Sequence, residues 1–304
     1  MADCHFFPHR DMNCTANAEL SKMTLLEQDI CPSLQLVEPL PLEIPDDEKE
    51  YSMVNSAQMS GATLKTGHSP AYYFMRLQRY SSYVFGVFAG VHLANTSLIP
   101  LVTQSVEASE SYLLLTRPYY HNFPLEETLI TVPIVLHITA GVALRLHRRR
   151  IRQRQYGTTE DRQASSWPPI SWCSVSGYML TPLVVGHAFL NRILPWIHEG
   201  GSSGVGLGYV SHGFARHPIL ATTSYLTLMG LAAGHFSWGL AKWRGWLPAD
   251  DSRGARRRWW AIQGVTAVVA VSWMAGGLGV VARGGRADGW VGRGYDVLYG
   301  RVGL

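Results

Sequence analysis

The stretch SGYMLTPLVVGHAFLNRILP (residues 176–195) decides the fold, because it is apolar enough to cross a membrane yet holds His187 in its interior. A second stretch, SSYVFGVFAGVHLANTSLIP (residues 81–100), carries Ser, Tyr, His and Pro at the same relative positions. A helix that crosses the hydrocarbon core needs about 20 mainly apolar residues. The two stretches therefore predict two related membrane-spanning helices, each with a titratable ring inside the membrane.

Apolar blocks recur along the chain of 304 residues, separated by short arginine clusters, from Tyr72 onward. In lipid, unpaired backbone groups are too costly for anything but helices or closed barrels, and these blocks are too long and evenly apolar for barrel strands. We therefore expect an all-α, polytopic transmembrane bundle of five spans with a disordered N-terminal arm. The predicted spans are residues 80–102, 125–146, 172–196, 218–241 and 259–282.

The polar ends suggest a division into an arm (residues 1–70), a membrane domain (71–283) and a C-terminal tail (284–304). Basic residues flank the spans on one side only, and such residues face the cytosol in most membrane proteins. This predicts a cytosolic N-terminus, with the arginines of the tail as the one opposing signal. The basic groups are Arg76 and Arg79; Arg145, Arg148, Arg149, Arg150, Arg152 and Arg154; and Lys242, Arg244, Arg256, Arg257 and Arg258.

The first four predicted spans each carry one histidine well inside the membrane. His187 follows His92 at nearly the spacing at which His235, in HFSWG, follows His137, in HITAG. This register predicts a duplicated helical hairpin plus a fifth span. Counted at the helical rise, the first pair lies roughly 20 Å from the cytosolic side and the second roughly 10 to 12 Å.

Two interpretations of these histidines remain open from the sequence. Imidazoles on facing helices at one depth could be axial ligands of b-type haem, with two haems stacked across the bilayer. Gly141 and Gly239 lie one turn after their histidines and would leave room for a flat macrocycle, as would Gly86 and Gly90 near His92. In the other interpretation, the histidines and glycines serve helix packing alone.

Other chemistry receives little support from the sequence. His212 and His217, in HGFARHP (residues 212–218), are an isolated pair in a predicted loop. The stretch GGSSGVGLG (200–208) lacks the Lys and Ser/Thr of a phosphate-binding loop, so a flexible connector is expected. No nucleophile and base spacing indicates an enzyme, and the basic clusters do not form a nucleic-acid footprint. The four cysteines show no metal-binding or disulfide pattern; they are Cys4, Cys14, Cys31 and Cys173.

The arm contains one distinctive segment, LQLVEPLPLEIPDDEKE (residues 34–50). Prolines stiffen an extended chain and so reduce the entropy lost on docking. We therefore read Pro39, Leu40 and Pro41 as a linear binding motif, with Val37, Leu42 and Ile44 as flanking apolar anchors. The alternative is a proline-rich linker without a partner.

The membrane segments resemble the fungal Mcp proteins of the mitochondrial outer membrane, which are five-span proteins associated with lipid homeostasis. The resemblance rests on LQRYSSYVFGVFAGVHLANT, HITAGVALRL, SGYMLTPLVVGHAFLNRILP and GHFSWGLAKW, within residues 72–282. The same helices look distantly like the haem-bearing membrane anchors of succinate dehydrogenase and fumarate reductase. In their five-span, two-haem form the ligands likewise pair across helices.

The resemblance implies that Pro39-Leu40-Pro41 corresponds to the motif by which the family recruits a bridge-like lipid-transfer protein to mitochondria. The expected function is then that of a non-enzymatic adaptor in the mitochondrial outer membrane, with the arm in the cytosol. The alternative is a two-haem b-type cytochrome with His92, His187, His137 and His235 as ligands. A third hypothesis, lipid movement between leaflets by the bundle, has no dedicated sequence feature.

Overall fold

Helices long enough to cross a membrane form the body of the protein. The computed structural model describes residues 68–155, 167, 170–248, 250 and 252–304, and these residues contain helices and no strand. The predicted all-α bundle of five spans is confirmed. The spans are Pro70–Thr103, Glu127–Arg154, Trp172–Glu199, Pro218–Trp243 and Arg253–Arg283, here called spans 1 to 5. The arm, including the whole proline motif, lies outside the described residues.

Several spans are built from more than one helical segment. The α-helices are α1 (Pro70–Leu93), α2 (Ile99–Thr103), α3 (Val106–Thr116), α4 (Pro118–His121), α5 (Val132–Gln155), α6 (Trp172–Ala188), α7 (Leu194–Glu199), α8 (Leu207–Arg216), α9 (Pro218–Trp243), α10 (Arg253–Gly277) and α11 (Gly289–Gly300). Three π-helical turns lie at Ala94–Leu98, Glu127–Thr131 and Phe189–Ile193, and a 3₁₀ turn at Val281–Arg283.

Span 1 begins at Pro70, almost three helical turns before the start predicted at residue 80. The extra turns carry aromatic and basic side chains that suit the membrane surface. Arg76 lies over the ring of Tyr72, with its guanidinium carbon 4.6 Å from the ring centroid, and also donates to the hydroxyl of Tyr80 over 3.4 Å. These contacts extend the helix into a region that hydropathy alone does not mark.

The three π-helical turns share one cause in the sequence. In spans 1 and 3, Ile99 donates its N–H to the carbonyl of Ala94, and Leu194 donates to Phe189, five residues back in each case. A proline follows directly in both spans, as Pro100 and Pro195. Proline has no N–H to continue the helical ladder, so the turn before it widens.

The widened turns strengthen the evidence for an internal duplication. Each begins two residues after a matched histidine, His92 in span 1 and His187 in span 3, and each leads to a buried proline. Within the repeats, α1 packs on α5, and α6 packs on α9. The predicted arrangement of two repeated helix pairs plus one span is therefore the observed one.

The fifth span packs against both repeats. Its α10 lies along α9 and also crosses the π-helical turn of span 1. There the hydroxyl of Ser97 donates to the carbonyl of Trp273 over 2.9 Å. Gly276 permits this crossing, because a Cβ at that position would lie 1.9 Å from the carbonyl oxygen of Ser97.

The outer surface of the bundle is apolar along its whole length. Val87, Val185 and Val268 each expose more than half of their surface, at 63%, 59% and 67%. Soluble proteins rarely expose contiguous apolar surface on this scale. A lipid bilayer is the environment that such a surface requires.

The two ends of the bundle differ in chemistry. At one end, the arginines after span 2 contact an aromatic ring: the guanidinium carbon of Arg149 lies 3.9 Å from the ring centroid of Trp167. At the other end, α3, α4, α8, the 3₁₀ turn and α11 pack together in what we call the cap. The segment predicted as a C-terminal tail contains α11 and contributes to this cap.

The interior of the cap is aromatic and polar. The rings of Tyr209 and Tyr299 stack with their centroids 4.6 Å apart, and burial raises the pKa of Tyr209 to about 12. His212 is only 2% exposed. Its Nδ1 accepts the N–H of Ala287 over 3.2 Å, and its Nε2 lies 3.2 Å from a carboxylate oxygen of Asp296.

Two expectations about loops between spans 3 and 4 need correction. His212 lies within α8 rather than in a loop. The glycine-rich stretch 200–208, expected as a flexible connector, is partly buried and leads into α8. Glu110 stabilises that helix start by accepting the N–H of Leu207 over 2.7 Å. An acidic oxygen at this position satisfies backbone donors that a helix N-terminus leaves unpaired.

Replacement of Gly276 by alanine is expected to loosen span 5 from span 1, because the added Cβ would overlap backbone atoms of Ser97. Overpacking of this kind costs roughly 1 to 3 kcal/mol. The measurement is the midpoint of thermal unfolding in detergent micelles, which should fall. Gly264→Ala is the matched control, since it lies in the same helix with open space around the new Cβ. Equal midpoints for the two variants would contradict the proposed crossing.

Candidate functional site

The four intramembrane histidines meet in two pairs inside the bundle. The ring centroids of His92 and His187 lie 5.9 Å apart, and those of His137 and His235 lie 6.0 Å apart. Each pair joins one repeat to the other. The structure thus brings together the same partners that the sequence paired by depth, and we call the two pairs the upper layer (His92 and His187) and the lower layer (His137 and His235).

The lower-layer histidines are oriented by equivalent contacts in the two repeats. Nδ1 of His137 lies 3.1 Å from the backbone carbonyl oxygen of Gln78, and Nδ1 of His235 lies 3.2 Å from the hydroxyl of Ser176. Both partners lie 59 residues before their histidine. The Ser176 hydroxyl in turn donates to the carbonyl of Cys173 over 3.2 Å.

These partners determine where each ring carries its proton. A carbonyl oxygen only accepts, so Nδ1 of His137 must be the donor. The hydroxyl proton of Ser176 points to Cys173, so its oxygen accepts from Nδ1 of His235. In both neutral rings the lone pair is then on Nε2. Histidines that bind metals have this arrangement, in which the second ring nitrogen donates to an oxygen.

The separation of the lower-layer rings also suits a metal ion between them. Bonds from a metal to an imidazole nitrogen are about 2 Å long, so two coordinating rings have centroids roughly 6 Å apart. Within the described residues, no group of three or more His, Cys, Asp or Glu side chains could hold a metal ion. Two imidazoles alone are the ligand set of a bis-histidine haem. The lower layer therefore fits that group.

The upper layer has different partners. The side-chain amide of Asn191 lies 3.4 Å from Nδ1 of His187 and donates to the carbonyl of the same histidine over 2.8 Å. The same amide nitrogen also donates to the hydroxyl of Tyr225 over 3.3 Å, so its two hydrogens have closer acceptors than Nδ1 of His187. His92 stacks on Phe88, with centroids 5.4 Å apart. This layer has the character of a packed aromatic cluster.

The glycines near the histidines are not equivalent. A Cβ at Gly239, Gly86 or Gly90 would meet no atom within 4 Å, whereas one at Gly141 would lie 2.7 Å from the side-chain nitrogen of Gln78. The space predicted beside His137 is thus taken by a glutamine amide. Gly177 has a separate role, since its missing side chain lets Cε1 of His235 approach to 3.0 Å from the ideal Cβ position.

Sequence reasoning did not identify Gln78, Ser176 or Asn191 as partners of the histidines. Gln78 acts through its backbone carbonyl, for which a sequence contains no signal. Ser176 and Ser81 occupy the first position of the two matched stretches, and this recurrence could have singled out Ser176. The predicted motif residues Val37, Pro39, Leu40, Pro41 and Leu42 lie outside the described residues.

Comparison with known families gives one match. Residues 182–286 match the family model described as MDM10-complementing protein 1, transmembrane domain. The matched region runs from the middle of α6 through α8 and α9 to the end of span 5. Neither the curated proteins nor the solved structures contain a match to this chain.

Proposed function

We propose, from the match of residues 182–286 to the family model described as MDM10-complementing protein 1, transmembrane domain, that the protein is an adaptor of the mitochondrial outer membrane. In this function the five-span bundle anchors the chain, and the N-terminal arm displays Pro39-Leu40-Pro41 to the cytosol. The motif recruits a bridge-like lipid-transfer protein and so supports lipid supply to mitochondria. The observation that carries the proposal is the family match to a multispanning membrane domain.

The charge distribution supports a cytosolic arm. The arm precedes Arg76 and Arg79, which belong to the same end of the bundle as the arginine clusters after spans 2 and 4. Clusters of this kind remain on the cytosolic side during membrane insertion. A proline motif on that side is accessible to a soluble partner. The acidic residues that follow it, from Asp46 to Glu50, keep the segment solvated.

The adaptor function predicts that Pro39→Ala combined with Pro41→Ala abolishes partner recruitment. The double change frees the backbone and removes two ring contacts, which raises the entropic cost of docking. The measurement is the fraction of a fluorescently tagged bridge-like lipid-transfer protein that co-localises with mitochondria in cells expressing the variant.

The matched control is Pro8→Ala combined with Pro32→Ala, which removes two prolines of the same arm outside the motif. We expect this variant to recruit the partner normally, and both variants to insert into the membrane. Undiminished recruitment by the motif variant would rule out the adaptor function in this form.

The lower layer supports a second candidate function, the binding of one b-type haem between His137 and His235. His137 and His235 would hold the iron through Nε2. The carbonyl oxygen of Gln78 and the hydroxyl of Ser176 would orient the two rings through hydrogen bonds at Nδ1. A haem in this place supplies one-electron transfer, and the surrounding apolar bundle excludes water from it. The upper layer, where Asn191 contacts His187 and Phe88 packs on His92, is not part of this candidate site.

An absorption spectrum of the purified protein tests this second function. If the lower layer binds haem, protein from a haem-supplied host has a Soret band, and His137→Ala removes it because one of the two ligands is lost. His147→Ala is the control, since His147 lies in the same helix but contacts Phe74 at the arginine-rich end. Folded wild-type protein without a Soret band would exclude haem binding.

A further inference from the structure

A polar cavity opens where the cap meets the bundle. It has a volume of about 250 Å³ and lies between α3, α4 and the turn that follows α7. Its polar lining consists of Arg117, His121, Asn122, Arg192, Ser202 and Ser203. The histidine layers contribute no residue to its described lining, so this cavity is separate from them.

The lining carries an excess of positive charge. The guanidinium of Arg192 forms a two-pronged ion pair with Glu126, with Nε 2.8 Å from one carboxylate oxygen, so the charge of Arg192 is largely compensated. Arg117 forms no such ion pair within the described residues, although the charge of Glu110 is near enough to raise its pKa. It donates to the backbone carbonyls of Ser203, over 3.3 Å, and Val205.

Two buried nitrogens in the lining have no hydrogen-bond partner, Nε of Arg117 and Nδ1 of His121. Nδ1 of His121 lies 3.6 Å from the nearest oxygen of Glu126, which is too far for a hydrogen bond. Burial lowers the pKa of Arg117, as does the charge of Arg192, and Tyr120 and Glu110 partly offset this. Arginine stays charged at neutral pH. A half-buried guanidinium without a carboxylate in ion-pair contact is only partly compensated, so this lining suits an anionic group.

Exposed apolar side chains belong to the same segments as the lining. Leu115, Tyr119 and Phe123, each next in sequence to a lining residue of α3, α4 or the adjoining turn, expose 70%, 73% and 85% of their surface. They stand close to the start of span 2 and therefore near the membrane boundary. Aromatic side chains favour this interfacial position. A ligand that fits both regions has an anionic head and apolar tails.

We propose that this cavity binds the phosphate group of a phospholipid at the end of the bundle opposite the arginine clusters. Phosphate is the anion that a planar guanidinium recognises best, through paired N–H···O bonds. Free phosphate shares this chemistry, but it would make no use of the exposed apolar rim. The inference does not rest on the adaptor function, because it involves no residue of the arm.

The test uses the full chain, purified in detergent, with three probes: dioctanoyl phosphatidic acid, inorganic phosphate and dioctanoyl glycerol. The shift of the thermal unfolding midpoint with probe concentration gives an apparent dissociation constant. We expect the phosphatidic acid to stabilise the protein and the other two probes to have little effect. Equal stabilisation by inorganic phosphate would overturn the lipid assignment, and equal stabilisation by the glycerol derivative would overturn the anion site.

Asn122→Asp is the decisive variant, because it adds a negative charge to the lining without changing the size of an exposed side chain. Repulsion of the phosphate should weaken binding by roughly tenfold or more. Ser171→Asp, an exposed position at the arginine-rich end, is the control of equal charge change and should bind as the wild type does. Unchanged binding by Asn122→Asp would overturn the proposal, and so would equal weakening by Ser171→Asp.

Discussion

The lack of water in the hydrocarbon core is the constraint on which the rest of this structure depends. Each polar group within a span must find its partner inside the protein. Ser97 meets this requirement through a backbone carbonyl of the neighbouring span, and His137 through the carbonyl of Gln78. The same constraint turns all four histidines toward the bundle interior, where the two repeats meet. The paired layers are thus a direct consequence of placing imidazoles in lipid-embedded helices.

The two layers show how one repeated hairpin can support different chemistry. In the lower layer, oxygen acceptors leave both Nε2 atoms available, as a metal ligand requires. In the upper layer, the ring of His187 instead meets the amide nitrogen of Asn191, and Phe88 packs over His92. The two depths of the duplicated scaffold therefore differ in the partners of their histidines. The features that bear on the proposed adaptor function and on the proposed lipid binding lie elsewhere, in the arm and in the cavity beside the cap.

Much of the fold was predictable because its signals are local. The length of each apolar block determines a span, and the shared register of His92 and His187 is enough to indicate the repeat. The cap was not predictable in this way. His212 and Asp296 are 84 residues apart in the chain, and neither has a distinctive local pattern. The glycine-rich stretch before α8 is buried only because α11 and α3 pack over it, which is a tertiary effect.

The candidate sites were predictable to different degrees. Depth along each helix was enough to pair the histidines, since the helical rise is constant. Their proton positions were not predictable, because these depend on a backbone carbonyl at Gln78 and on the direction of one hydroxyl at Ser176. The cavity lined by Arg117 and Arg192 combines residues from three separate loops and helices, so no single stretch of sequence indicates it.

Internal hydrogen bonds orient the rings of His137 and His235 with Nε2 free. Nitrogen-15 NMR of the histidine rings in lipid bilayers, at a pH where the rings are neutral, tests this orientation most directly. We expect His137 and His235 to carry their protons on Nδ1. Protons on Nε2 of these two rings would contradict this expectation. Nδ1 could then not donate to the oxygen of Gln78 or Ser176, and Nε2 would have no free lone pair to bind a metal.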